Sequence, residues 1–246
     1  MRVVGIDSSS APASAALIED GRLIAERRHP GSSAGHAAGL TGLKSNHAEI
    51  LLPLIESVMV EARTTLGEVS GLAVAIGPGS FTGLRIGLST VKGLAYGWGI
   101  PVVGVSTLLA QATRAGDFDG VICALLDARK NEVYAALFRT RQRELTRLTE
   151  DLLVPAGSVI DQVRGAVGDM PCLFIGSGAR RYEKLLLDAL DGKSRLCAED
   201  SVCSCAAAVA RLGMERMRRS ETDDLGKLVP VYLRPSEAEA RRSSRI

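Results

Sequence analysis

Two aspartates close the first apolar run of each half of the chain: Asp7 follows Val3-Val-Gly-Ile6, and Asp127 follows Val121 to Leu126. A carboxylate at the end of a strand can handle a metal ion and a phosphate. That chemistry also needs glycines beside it, so that backbone amides can approach the phosphate oxygens. The turns here read Asp7-Ser-Ser-Ser10 and Asp127-Ala-Arg-Lys130, with no glycine in either. Asp7, Ser8, Ser9 and Asp127 are therefore read as degraded phosphate-loop positions, with carboxylates that cap turns.

A second candidate is Gly77-Pro-Gly-Ser-Phe-Thr-Gly83. The apolar run Gly71-Leu-Ala-Val-Ala-Ile76 before it reads as a buried strand, and the small and apolar segment after it reads as a helix to about Trp98, with Ser80 or Thr82 near its N-cap. The unpaired amides of a helix start can receive an anion. No Gly-Lys-Ser/Thr follows, and the third glycine falls one residue late for the dinucleotide spacing. A tight turn with positive φ at Gly77 and Gly79 is the favoured reading, and phosphate binding stays open beside it.

Nucleophilic and metal chemistry find less support. Gly31-Ser-Ser-Ala-Gly35 fits the serine-hydrolase expression but lies in a polar loop, without the strand and helix an elbow needs. The histidines are His29, His36 and His47, and Leu51 stands one turn after His47, so no helical ligand pair forms. Cys123, Cys172, Cys197, Cys203 and Cys205 lack metal-type spacing and read as reduced thiols of a cytoplasmic protein. No catalytic residue and no metal are expected.

Composition narrows the class. Of 246 residues 46% are hydrophobic, enough for one large domain or two lobes with aliphatic cores. Aromatic residues make up only 4%, which argues against base stacking, and a net charge of +2 argues against a strongly electrostatic nucleic-acid binder. No apolar run reaches membrane-spanning length, and the N-terminus reads as a strand.

The elements that position these residues follow from periodicity. Strands are expected at 2–6, 13–18 and 22–28, joined by a Glu19-Asp-Gly21 hairpin. A flexible loop covers 30–45, a helix runs from Asn46 to about Arg63 with a kink or restart at Pro53, and further elements lie at 72–76, 81–97 and 102–103. The second half opens in the same way. Ala15-Ala-Leu17 lies eight residues after Asp7, and Ala135-Ala-Leu137 lies eight residues after Asp127. This duplication points to an α/β fold of two ribonuclease-H-like lobes, the actin-like plan, with mixed sheets and helices packed on them. The lobes are expected at 1–105 and 106–240, with helices at 158–167, 182–190 and 202–218, a strand at 172–175, a last strand at 229–233 and a frayed basic tail at 241–246.

The helix at 46–63 is apolar around most of its circumference. The helix at 81–97 carries the glycine pairs Gly83/Gly87 and Gly93/Gly97. Four helical glycines imply close approach by something, either the chain's own sheet or another protein.

Three blocks carry a resemblance to a family: Val3-Val-Gly-Ile-Asp-Ser-Ser9, Asn46-His-Ala-Glu-Ile-Leu-Leu-Pro53 and Ala75 to Gly87. Leu126-Asp-Ala-Arg129, Glu132-Val-Tyr134 and Pro230-Val-Tyr-Leu-Arg234 add to it. The chain resembles the bacterial TsaB family, also called YeaZ. That resemblance implies a non-catalytic partner of TsaD, the transferase that makes N6-threonylcarbamoyladenosine beside the anticodon of tRNAs reading codons that begin with A. It implies a heterodimer with TsaD through the helix pair, an ATPase, TsaE, joining the assembly, a homodimer when the chain is alone, and tRNA contact only through the complex. His47, Ile50, Leu51, Leu54, Ile55, Val58, Gly83, Arg85 and Gly87 are the expected partner-binding residues. No cofactor is expected in the isolated chain, and a nucleotide at the subunit junction is left open. An actin-like small-molecule kinase and a peptidase are the alternatives.

Overall fold

The computed structural model describes residues 1–10, 13–29, 47–190, 192–197 and 205–234. The expected loop at 30–45 and the tail at 241–246 lie outside them. In chain order the elements are β1 (Arg2–Asp7), β2 (Ser14–Glu19), β3 (Arg22–Arg28), α1 (His47–Glu61), β4 (Gly71–Gly77), α2 (Phe81–Trp98), β5 (Val102–Ser106) and α3 (Thr107–Thr113). There follow β6 (Gly120–Asp127), β7 (Glu132–Arg141), β8 (Glu144–Arg147), β9 (Leu152–Pro155), α4 (Val159–Val167), β10 (Cys172–Ile175), α5 (Ser177–Arg181), α6 (Glu183–Asp188), β11 (Ser194–Leu196) and α7 (Cys205–Arg218).

The chain forms two compact units, one of Met1–Thr107 with Cys203–Val231 and the other of Leu108–Val202 with Tyr232–Ile246. The first unit holds a five-stranded sheet ordered β3-β2-β1-β4-β5. Asp20 and Gly21, both at positive φ, make the tight turn that joins β2 to β3, as an Asp-Gly pair favours. The β1–β2 and β2–β3 pairs are antiparallel, while β4 lies parallel to both β1 and β5. Side chains of β1 alternate: Val4 and Ile6 join the core under α1 and α2. The opposite face takes α7. A Cβ on Gly5 would collide with the Ala206 carbonyl and with Ala210, so backbone meets backbone there, and Gly213 of α7 lies as tightly on Ala73.

This packing explains why 203–231 do not stay with 106–202, as a division at 105/106 would have it. The complementarity between the alanines of α7 and the glycine of β1 is set by residues far apart in sequence. The expected strand at 229–233 does not form either. Val231 N–H donates to the Ile76 carbonyl at 2.7 Å, but Pro230 offers no donor and the segment stays irregular. The helix over 47–61 runs through Pro53 without a restart. Pro53 and Glu49 are both exposed, so water can satisfy the carbonyl that proline leaves unpaired.

The second unit repeats the plan in the order β11-β10-β6-β7-β8, with β9 sharing the outer edge of β7. Cys123 and Leu125 face a core formed with α4 and α6, while Ile122, Ala124 and Leu126 face Leu108 and Ala112 of α3. The repeat is one register step away from what the spacing of the two aspartates implies. Ile6 pairs with Ala15, and Leu125 pairs with Ala135. The counterpart of Asp7 is thus Leu126, and Asp127 stands where Ser8 stands. A shift of one residue along a strand reverses the face.

Candidate functional site

The glycine-rich turn receives a part of its own chain. β4 ends at Gly77, which sits at φ +124, a conformation that L side chains resist, and the Gly77–Pro78 peptide is cis. Gly79 is not left-handed as the turn reading expects. It is small because Ser9 lies against it: Ser80 N–H donates to the Ser9 carbonyl at 2.6 Å, and a Cβ on Gly79 would strike that carbonyl. Ser80 is the N-cap of α2, with its hydroxyl accepting from Gly83 N–H at 3.2 Å. Farther up α2, a Cβ on Gly83 would strike the Ser8 carbonyl and one on Gly87 the Ser8 hydroxyl. Ser8 Oγ donates to the Gly83 carbonyl at 2.8 Å.

Asp7 completes this loop. It is buried, and its Oδ1 accepts from Ser9 N–H at 2.9 Å and from Ser9 Oγ at 2.6 Å. The carboxylate holds its own turn. Asp127 makes the same kind of bond, accepting from Arg129 N–H at 3.0 Å, and its Oδ2 lies 3.2 Å from the Arg181 guanidinium. Among the described residues no three His, Cys, Asp or Glu side chains gather as metal ligands.

Several expected partner-binding residues face inward. Leu51, Ile55 and Val58 are buried in the core of the first unit, with Ile50 and Leu54 partly covered. They are core residues, because the apolar face of α1 is what holds it to β2 and β3. Gly83 and Gly87 are likewise spent on Ser8, so the close approach they permit is to the chain's own loop. Arg85 is exposed, with its guanidinium 4.0 Å from the centre of the Phe81 ring. The side chain of His47 lies outside the described residues.

The outward faces of α1 and α2 carry other residues. Leu52 (51% exposed) and Val60 (71%) share a stripe of α1 with Glu56. On α2 the stripe runs Arg85, Ser89, Gly93 and Tyr96, with Gly97 at its side and Tyr96 88% exposed. Trp98 stands two residues on, points round the helix, and lays its ring 3.6 Å from a Cβ built on Gly67. Nothing lies within 4 Å of a Cβ built on Gly93 or Gly97. The two glycine pairs therefore point different ways, because 83/87 and 93/97 are out of phase on a 3.6-residue helix. That phase was the signal in the sequence for which glycines stay free.

The TsaD family model, described as tRNA N6-adenosine threonylcarbamoyltransferase, matches residues 42–241. A Bacillus subtilis protein named tRNA threonylcarbamoyladenosine biosynthesis protein TsaB is 31% identical over 241 residues, which is 98% of this chain and 97% of the relative. The solved structure of YeaZ from Pseudomonas aeruginosa superposes with a TM-score of 0.73 at 26% identity, over 94% of this chain and 99% of that one. Component A of the (R)-2-hydroxyglutaryl-CoA dehydratase of Acidaminococcus fermentans, at 11% identity and TM-score 0.51 over 89% of this chain and 99% of that one, shares the fold alone. A match that runs nearly end to end with a TsaB protein settles the kinship: this chain belongs to the TsaB family.

Proposed function

We propose that this chain is a non-catalytic subunit in the synthesis of N6-threonylcarbamoyladenosine on tRNA, docking a TsaD-like transferase through the outward faces of α1 and α2. The single observation that carries the docking is the exposed stripe of Leu52, Val60 and Tyr96 beside two open glycines. Tyrosine buries much area for little lost rotamer freedom, and open glycines let a second helix approach closely. A non-catalytic role is supported by the turn after β4, where the chain's own Ser8 and Ser9 lie against the glycines. It is supported again by Asp7, whose carboxylate holds Ser9. A TsaE-like ATPase joins the assembly, two copies pair through the same stripe when the chain is alone, and the setting is cytoplasmic. Among the described residues no helix is long and apolar enough to cross a membrane.

The test is capture of the transferase from the same organism by the full chain, measured calorimetrically for the parent and for Gly93→Leu. A leucine side chain finds open space in the free protein, so the variant should fold. It should bind the transferase at least about tenfold more weakly, a difference of ~1.4 kcal/mol. Parent-like affinity in a folded variant would remove α2 from the interface.

A further inference from the structure

The β6–β7 turn carries a feature that the docking face does not use. Arg129, Lys130 and Asn131 stand consecutively at φ 61, 52 and 59, left-handed backbone that arginine and lysine rarely adopt. The turn is held in this shape from several sides. Asp127 Oδ1 accepts from Arg129 N–H, Glu132 N–H donates to the Arg129 carbonyl at 3.0 Å, and Ala156 N–H donates to the Asn131 carbonyl at 3.0 Å. Arg234 donates to the Ala128 carbonyl at 2.9 Å and pairs with the Glu132 carboxylate. Asp127, Ala128 and Arg129, Glu132 and Arg234, from three of the sequence blocks above, thus meet in one clamp.

The charge balance of the clamp is uneven. Both of its carboxylates are engaged, Asp127 by Arg181 and Glu132 by Arg234. Arg129 and Lys130 are exposed, and among the described residues their side chains have no hydrogen-bond or ion-pair partner. Two exposed cations therefore project from a turn whose backbone is fixed.

We propose that Arg129 and Lys130 contact the phosphate backbone of the RNA substrate, resting on the reading of this chain as part of a tRNA-modifying assembly. Phosphate contacts need only cations and donors on a defined scaffold, and they position an RNA without reading its bases. A protein partner would need an apolar centre to the contact, and residues 129–131 offer none. The modest net charge of the chain fits a contact of two cations, one local grip within a larger RNA-binding surface.

The double variant Arg129→Gly with Lys130→Gly tests the role without breaking the turn, because glycine adopts positive φ freely. Filter binding would measure an unmodified transcript of a tRNA reading A-starting codons, on the full chain reconstituted with its transferase. The variant should bind about tenfold more weakly near 0.1 M salt, and the slope of log affinity against log salt should shrink by roughly one to two. Thermal stability and affinity for the transferase should match the parent, and Arg129→Lys should keep the parental salt slope. Parent-like tRNA affinity and slope in the glycine variant would overturn the proposal. So would a loss confined to transferase binding, which would assign the turn to an acidic protein surface. An assembly that binds tRNA no better than the transferase alone would overturn it too. Gly93→Leu reports on docking separately, so failure of one reading does not imply failure of the other.

Discussion

Ser8 and Gly83 hold each other in place: the Ser8 hydroxyl donates to the Gly83 carbonyl at 2.8 Å, while the Ser8 carbonyl fills the space a Cβ on Gly83 would need. The glycine-rich turn is thus a socket for the β1–β2 loop. Glycines of one helix should then respond oppositely to the same change. Gly83→Ala forces a methyl group into backbone and should cost about 3 kcal/mol despite alanine's better helix propensity. Gly93→Ala meets open space and should gain up to ~1 kcal/mol. Urea denaturation of both variants decides it, and equal effects would show that the socket can give way.

Adjacent leucines of α1 make the second contrast. Leu51 is fully buried and Leu52 half exposed. Leu51→Glu places a carboxylate in the core, and should abolish folding or cost several kcal/mol. Leu52→Glu should leave stability within about 0.5 kcal/mol while weakening capture of the transferase. Circular dichroism with size-exclusion chromatography separates the two. A folded Leu51→Glu protein would mean that α1 is turned otherwise than described.

The third expectation concerns the outer edge of the first sheet, where β4 is the one strand beside β5 among the described residues and Val102 makes an isolated antiparallel bridge with Asp223. Gly104 N–H donates to Asp223 Oδ2 at 2.7 Å, and Arg216 Nη1 donates to the Gly104 carbonyl at 3.0 Å. Arg216 and Asp223 also pair with each other through two contacts, at 3.1 and 3.2 Å. Together they present to Gly104 the donor and acceptor that a sixth strand would offer. Asp223→Ala should lower stability by ~2 kcal/mol and favour concentration-dependent association through the bared edge. Denaturation and light scattering over a range of protein concentration measure both. Unchanged stability would make the pair incidental.

Much of the architecture was legible because it is local. Apolar runs marked β1 and β2, the Asp-Gly turn fixed the hairpin of β2 with β3, and the glycine-rich run marked the junction of β4 and α2. Which face of a helix turns outward was less legible, since α1 is apolar on nearly every side and only contact with β2 and β3 selects Leu51, Ile55 and Val58 for the core. The return of α7 to the first unit depends on Gly5 and Gly213 meeting residues distant in sequence. The matching Ala-Ala-Leu runs concealed the one-residue shift that places Asp127 opposite Val133 while Asp7 faces Ser14. Spacing along a chain does not record the length of the turn through which two strands pair.

The buried thiols of the second unit give a pH dependence with a definite sign. Burial pushes Cys172 from 9.0 up to about 12, and it pushes Cys123 well above 9.0, with the neighbouring Cys172 adding to the effect. Below pH 9 both states hold these protons and stability is indifferent to them. Between about pH 9 and 12 the unfolded chain releases protons that the folded chain keeps, so the folded state loses ground as pH rises. The slope should approach ~1.4 kcal/mol per pH unit for each thiol. Urea unfolding between pH 8 and 10.5 should therefore show a shallower decline for Cys172→Ala than for the parent, even though the substitution itself lowers stability at every pH. Lysine and tyrosine ionisation is common to both proteins and cancels in the difference. Native protein at pH 8 should also resist alkylation at Cys123 and Cys172 until denaturant is added. Parallel pH profiles, or ready labelling of either thiol in the folded protein, would show that the core under α4 admits water to the sulfur atoms.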